Sequence, residues 1–541
     1  MENDQIYNSS GKGEDPGKAR QGKASDEYTR PGAGGNDGGN GAKSKDVPAP
    51  DKRDAVFVAV AFGLGFALCE LVLFGGWGIS VPVICAALYA AALIYLRPRL
   101  RRPQLPELIA NVPAALLAVC FVLFDNATLR AFNIVALWGA SAFGLAQLSG
   151  LGGRPVLWSG TVPDTLRYMF GLPLRHLGRA GRALASSGHK ARTLPIVLLT
   201  LLVIAPVLAL VLMLLSQSDA GFSRLLYSFS SFFGRQAAHY LTEVIIAAVL
   251  TFPIFSFLWG LRRDDPARRP DESAAHRNAK LDSAVVCTAL GVFSAVYAVY
   301  MALQSDYFFS AVLGALPQDF TVSQYARRGF FELVGVAAIN FCLIAAACAF
   351  SKRREGRIAP GARGQIIVLS VMTLLLIVTA ASKMLMYMER YGLTPLRVYT
   401  SWFMLLLAVS CALVIVGMLR RGFDFHRVNI ICAVVLWLAL NFINPDSIIA
   451  KYNINMYKAN PTTKLDVSLF WELSDSALPQ LASLRGDPAL GTEISGDPTL
   501  GTEINRLLEQ REVNLRSQKW QDFSAAGYSA LKSIDASAPQ S

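Results

Sequence analysis

The chain has 541 residues, 53% of them hydrophobic and only 17% charged, with a formal net charge of +12. That balance is too apolar for an ordinary soluble protein. The positive excess would suggest nucleic acid in a soluble chain, but here it lies mostly in short loops between apolar runs, so no nucleic-acid partner is expected.

Residues 1–53 are rich in Gly, Ser, Lys and Asp and include Pro31-Gly-Ala-Gly-Gly-Asn-Asp-Gly-Gly-Asn-Gly41. Such a composition cannot bury a core, so a disordered tail is expected. Because the first apolar run starts only at Ala55, the segment does not read as a signal peptide.

Eleven apolar runs follow: Ala55–Phe74, Ile79–Leu96, Leu108–Phe124, Ala131–Leu148, Leu194–Leu215, Tyr240–Leu261, Ser283–Leu303, Phe331–Phe350, Ile366–Met386, Val398–Leu419 and Val428–Ile443. Backbone in lipid must satisfy its own hydrogen bonds, and runs this long and uniform do so as helices. The expected fold is all-α, a polytopic integral membrane helix bundle of about 11 spans over residues 54–443. The third and eleventh runs are short, so each is expected to tilt little or to be partly re-entrant.

Loops 97–107, 149–193, 262–282, 351–365 and 420–427 carry 25 Lys and Arg, whereas the alternate loops carry seven. By the positive-inside rule the rich set faces the cytoplasm. The N-terminus is then cytoplasmic and residues 444–541 are extracytoplasmic. In the long inner loop, Thr165–Leu184 repeats apolar residues and arginines at roughly helical spacing. It reads either as a helix on the membrane surface or as a basic anchoring loop.

The tail contains a tandem duplication, Gly486–Ser495 and Gly496–Asn505. Two copies are too few for a solenoid, so slippage in a tolerant surface loop is expected and no function is assigned to it. Arg506–Arg516 reads as a short helix, followed by Trp520, Phe523 and Tyr528, which could pack the tail or touch lipid headgroups.

All eight cysteines fall inside apolar runs, and the five histidines are scattered through polar loops. No metal-ligand or redox spacing results, so neither a metal nor another cofactor is expected.

Ionisable groups inside spans are costly and face the bundle interior by default. Glu70, Glu243, Asn340 and Asn441 are the intramembrane polar candidates. A denser group gathers at the expected outer ends of the last spans: Tyr325, Arg327, Arg328, Glu332, Lys383, Glu389, Arg390, Arg397 and Asp446. Arg397 stands out, because a cation in the first turn of a helix opposes the helix dipole and needs a partner. The group is either a structural salt-bridge network or a site for an anionic small molecule or lipid headgroup.

Six segments carry a family resemblance: Ser218–Phe222, Gln304–Phe309, Tyr325–Leu333, Glu389–Arg397, Asn444–Ile454 and Leu473–Leu481. Across roughly residues 55–530 the chain resembles the bacterial multi-pass family known as domain of unknown function 4173, a relative of family 4153. The resemblance implies a polytopic bacterial membrane protein with no assigned activity.

Three functional classes stay open. The favoured one is a non-enzymatic envelope scaffold or signalling protein. A transporter or channel is the alternative, and an enzyme acting on lipid-linked substrate is the third. The third would want acidic residues in the first outer loop, and Gly75-Gly-Trp-Gly-Ile79 has none.

Overall fold

The computed structural model describes residues 51–100, 102–152, 156–185, 204, 208, 211–232, 235–264, 281–303, 330–354, 357–459, 465–485 and 500–537. The N-terminal tract 1–50, most of the run 194–215, the segment 304–329 with Tyr325, Arg327 and Arg328, and repeat residues 486–499 lie outside them.

α1 (Lys52–Leu68) starts at Asp51. The Asp51 and Asp54 carboxylates each accept the other's main-chain N–H, a reciprocal cap on the first turn. The helix continues into a π-helical turn, Cys69–Leu73. After the glycine loop come α2 (Ser80–Leu96), α3 (Leu105–Ile109), α4 (Val112–Leu123) and α5 (Ala127–Leu148). Then follow α6 (Thr161–Leu166), α7 (Leu172–Arg175), α8 (Leu177–Ala185), α9 (Ala220–Phe232) and α10 (Arg235–Arg263). The remaining spans are α11 (Ser283–Leu303), α12 (Phe330–Phe350), α13 (Pro360–Tyr391), α14 (Pro395–Leu419) and α15 (Phe425–Ile443).

Among the described residues nine helices are long and apolar enough to cross a membrane, and Ser80–Leu96 is a shorter apolar helix beside them. The protein is an all-α polytopic membrane helix bundle, and its surroundings are a lipid bilayer. A two-residue hairpin, Arg353–Arg354 with Arg357–Ile358, is the exception between α12 and α13. At 32 residues, α13 is about 48 Å long and outreaches the roughly 30 Å hydrocarbon layer. It stops at Gly392, whose φ of +74° suits glycine.

Helices pack where side chains are small. A Cβ added to Gly65 of α1 would lie 2.9 Å from the Ala247 carbonyl oxygen of α10, so the two backbones approach closely. Two apolar clusters join α11, α12, α13 and α14, centred on Ile344, Ile366 and Leu369 and on Leu376 and Met404.

At the other end of α1 and α10 from Glu70, a polar clasp ties helix ends together. Buried Asp54 accepts hydrogen bonds from the Tyr95 hydroxyl and the Arg262 guanidinium, both at 2.7 Å. Arg99 donates to the carbonyls of Ser149, Arg262 and Asp264. His176 Nε2 stands 3.0 Å from Asp264. The loop around Thr165–Leu184 is not one surface helix. It breaks into α6, a π-helical turn Arg167–Gly171, α7 and α8. Tyr168, Met169 and Leu172 are buried, and Ser256 of α10 donates to the Leu172 carbonyl and accepts the His176 N–H.

The opposite end carries the tail: α16 (Pro445–Ala459), α17 (Val467–Glu472), α18 (Leu478–Ala482), α19 (Leu500–Ser517) and α20 (Ala525–Ser537). Ile449, Tyr457, Phe470, Leu478, Leu507 and Ile534 belong to a core of its own. The second repeat copy does more than form a surface loop. Its Leu500 and Ile504 open α19 and are buried in that core, and Arg485 donates to Asn505.

Candidate functional site

Where the tail meets the bundle, a partly open cavity of about 340 Å³ lies among the α4–α5 turn, the start of α14, α16 and the tail. Its acidic side chains are Asp125, Asp446, Glu472, Asp475 and Asp522, opposed by Arg130 and Arg511.

The local sequence places these groups through helix-end chemistry. Asn126 caps α5 by accepting the Leu129 N–H, which turns its amide toward Asp446 and the Tyr399 hydroxyl at 2.7 and 2.8 Å. Asn444 takes a left-handed conformation, φ 56°, which asparagine tolerates better than most residues. The next residue, Pro445, starts α16 and is suited to a first helical position. Asp446 therefore falls in the first turn, buried, and also accepts the Ser474 N–H at 3.0 Å. Its second oxygen has no hydrogen-bond partner.

The tail answers with the N-terminal N–H groups of a 3-10 turn, Asp475–Ala477. Asp125 accepts the Asp475 N–H at 2.6 Å and the Ser476 hydroxyl at 3.2 Å. Anions are favoured at such an N-terminus. Asp125 of the bundle and Asp446 of the first tail helix thus grip consecutive residues, Asp475 and Ser474.

Burial and the neighbouring Asp125 push the Asp475 carboxyl up to about 7, against the opposing charges of Arg511 and Arg130. Burial also raises Asp446, although hydrogen bonds from Ser474 and Asn126 resist it. Arg511 lies 3.4 Å from Asp475 and donates to the Trp471 and Leu473 carbonyls. Arg130 donates to the Phe121 and Phe124 carbonyls at the end of α4.

The tail also supplies the first loop with the carboxylate it lacks. Asp522 accepts the Trp77 N–H at 2.9 Å, and Gly78 and Ile79 donate to the Gln521 and Phe523 carbonyls. A Cβ on Gly78 would come 2.4 Å from the Asp522 main chain, so this approach requires glycine.

Of the expected outer cluster, Asp446 enters the cavity. Lys383 is buried on α13, while Glu389 and Arg390, near the end of that helix, and Glu332, on α12, are exposed. Arg397 finds its partners in the preceding helix. It donates to the Tyr391 carbonyl at 3.0 Å and to Gly392, and lies 4.2 Å from the Tyr387 ring centre. The negative end of α13 offsets the unfavourable start of α14.

Asn441 is knit into the α5–α15 contact. Asn133 donates to it at 2.6 Å, Trp437 donates to Asn133, and Asn441 donates back to the Trp437 carbonyl. Asn340 is fully buried opposite Tyr297. Glu243 is fully buried near the start of α10, and Glu70 sits in the π-helical turn after α1.

Asp125, Asn126 and Ser474 escaped the sequence reading. Their signal was the polar turn after the third run and the Ser474-Asp-Ser476 motif, neither of which names its partner.

The family described as domain of unknown function DUF4153 matches residues 112–484. The chain belongs to this family. No curated protein and no solved structure matches it. The DUF4153 segment runs from α4 to the end of α18 and includes Asp125, Asp446 and Asp475. Arg511 and Asp522 come from beyond it, so the cavity is completed by residues outside the matched segment.

Proposed function

We propose that the protein is a non-enzymatic scaffold or signalling protein of the bacterial cell envelope, with its N-terminus cytoplasmic and its tail outside. In this reading the tail responds to the outer medium through the carboxylate-lined cavity. The observation that carries it is the double use of Asp125 and Asp446. Both line the cavity, and Asp125 holds Asp475 of the tail to the bundle by its main chain while Asp446, at the head of the tail, holds the adjacent Ser474. Whatever protonates or occupies the cavity therefore acts on the contact that docks the tail.

The carboxylate excess favours a small organic cation over the anionic molecule or lipid headgroup that the outer Lys and Arg suggested. Arg397, the most conspicuous of those cations, is occupied by carbonyls.

Hydrogen–deuterium exchange in lipid nanodiscs tests this, with putrescine and inorganic phosphate as probes. The expected result is weaker protection of 465–485 at high pH, restored by putrescine and not by phosphate. Protection indifferent to pH and to both probes would reduce the junction to a static support. Restoration by phosphate would return the anionic reading.

Transport is the second reading. It draws on Asn340, a mid-span amide fully buried opposite the Tyr297 hydroxyl. Probe flux into proteoliposomes would favour it over a sensor.

A further inference from the structure

We propose that Glu70, His239 and Glu243 bind a divalent transition-metal cation at the tail-bearing end of the α1–α10 pair. His239 lies on α10 and not in a polar loop. With Glu243 it forms an i, i+4 pair, so the two side chains share a helix face one turn apart. The π-helical turn Cys69–Leu73 that ends α1 contains Glu70, and π-helical turns recur at functional sites.

One ligand atom from each residue lies within 4.8 Å of the other two. Ligands about 2.0–2.2 Å from a shared ion stand about 3.3–3.6 Å apart, so side-chain shifts on the order of 1 Å close the site.

Glu243 supplies the independent reason for a ligand. It is 0% exposed, and among the described residues its carboxylate has only the Glu70 carboxylate and the His239 imidazole as polar partners. His239 Nε2 lies 3.4 Å from its Oε1. A buried carboxylate set against a second one is costly, and a dication resolves both charges. Two carboxylates and an imidazole suit ions such as Zn²⁺ and Mn²⁺ better than Mg²⁺. Phe74 packs edge-on against the His239 ring at 5.0 Å and holds its plane. The His239 side chain is 44% exposed, which leaves a path for the ion and an open position for water. Glu70 precedes the matched family segment, whereas His239 and Glu243 fall within it.

The test uses tag-free full-length protein in lipid nanodiscs, stripped with chelator and titrated with Zn²⁺ by calorimetry and Mn²⁺ by electron paramagnetic resonance. One equivalent should bind per chain, reversibly with EDTA. His239→Ala and Glu70→Gln should each weaken binding at least tenfold while still giving folded protein. Glu243→Gln should abolish binding and raise metal-free melting, because an uncompensated buried carboxylate is gone. If that variant does not fold, His239→Ala alone decides. Absence of saturable binding, or full stoichiometric binding by the His239→Ala/Glu70→Gln double variant, would overturn the site and leave a carboxylate pair sharing a proton.

Discussion

The Asp125 carboxylate accepts the main-chain N–H of Asp475 at 2.6 Å across 350 residues of chain. It is a short-range hold between a bundle turn and a tail segment that hydropathy reads as unrelated. Asp125→Ala removes this bond and the one from Ser476. At about 0.5–1.5 kcal/mol per bond, and more where the acceptor is charged, the loss should be on the order of 2–3 kcal/mol. Limited proteolysis should then cut the tail faster while the spans stay protected.

The Asp475 carboxyl titrates at about 7 instead of 3.8 in the folded protein. The folded state therefore binds its proton more tightly than the unfolded state does. The stability this contributes is complete below pH 3.8 and is lost as pH rises through about 7. At 1.36 kcal/mol per unit, the full effect is on the order of 4 kcal/mol. Melting curves from pH 5 to 8 should show falling stability, and Asp475→Asn should flatten the profile and raise stability at the alkaline end.

Gly392→Ala should destabilise the junction between α13 and the tail. The added Cβ would lie 2.3 Å from Asn453 Oδ1 at a residue with φ +74°, and Asn453 both accepts from and donates to Leu393. Strain of this kind costs about 1–3 kcal/mol. The expected signature is a lower melting temperature with unchanged helix content.

Arg397→Ala tests a different bond type. Loss of two charge-assisted carbonyl contacts and a ring contact should cost about 1–3 kcal/mol. A broken buried ion pair would cost about 3–5 kcal/mol. Thermal unfolding distinguishes the two, and the smaller loss is expected.

Deleting either repeat copy, 486–495 or 496–505, should be tolerated. Leu490 and Ile494 of the first copy are spaced as Leu500 and Ile504 are, so one copy can slide into the other's place in the core. Deleting both removes two buried aliphatics, each worth about 2–5 kcal/mol even as a truncation to Ala. Expression and melting of the three deletions check this.

The spans were legible because lipid imposes length and apolarity one run at a time. Ser283–Leu303 is recovered with its bounds intact, and only α13 extends far beyond its apolar core. The site was legible in one residue, Asp446. Its partners Asn126 and Ser474 are neutral, and the partners of Arg397 and Arg130 are main-chain carbonyls, which no side-chain pattern reveals. The i, i+4 pair His239–Glu243 was readable in principle, but Glu70 joins it only through helix packing. The repeat was misjudged as mere surface because glycine and proline at its start hide the buried Leu500 and Ile504.

The Gly75–Gly78 loop and Asp522 are separated by 445 residues at the Trp77 contact, and they impose an order on biogenesis. The hairpin of α1 and α2 enters the membrane before residues 521–523 are translated, and its glycine loop waits bare until that stretch has left the ribosome. In the proposed orientation that stretch must also cross the bilayer. Closure of this loop thus requires translation past Asp522 and, in the proposed orientation, export of that stretch, and a nascent chain halted before Asp522 would present an open loop to quality-control proteases.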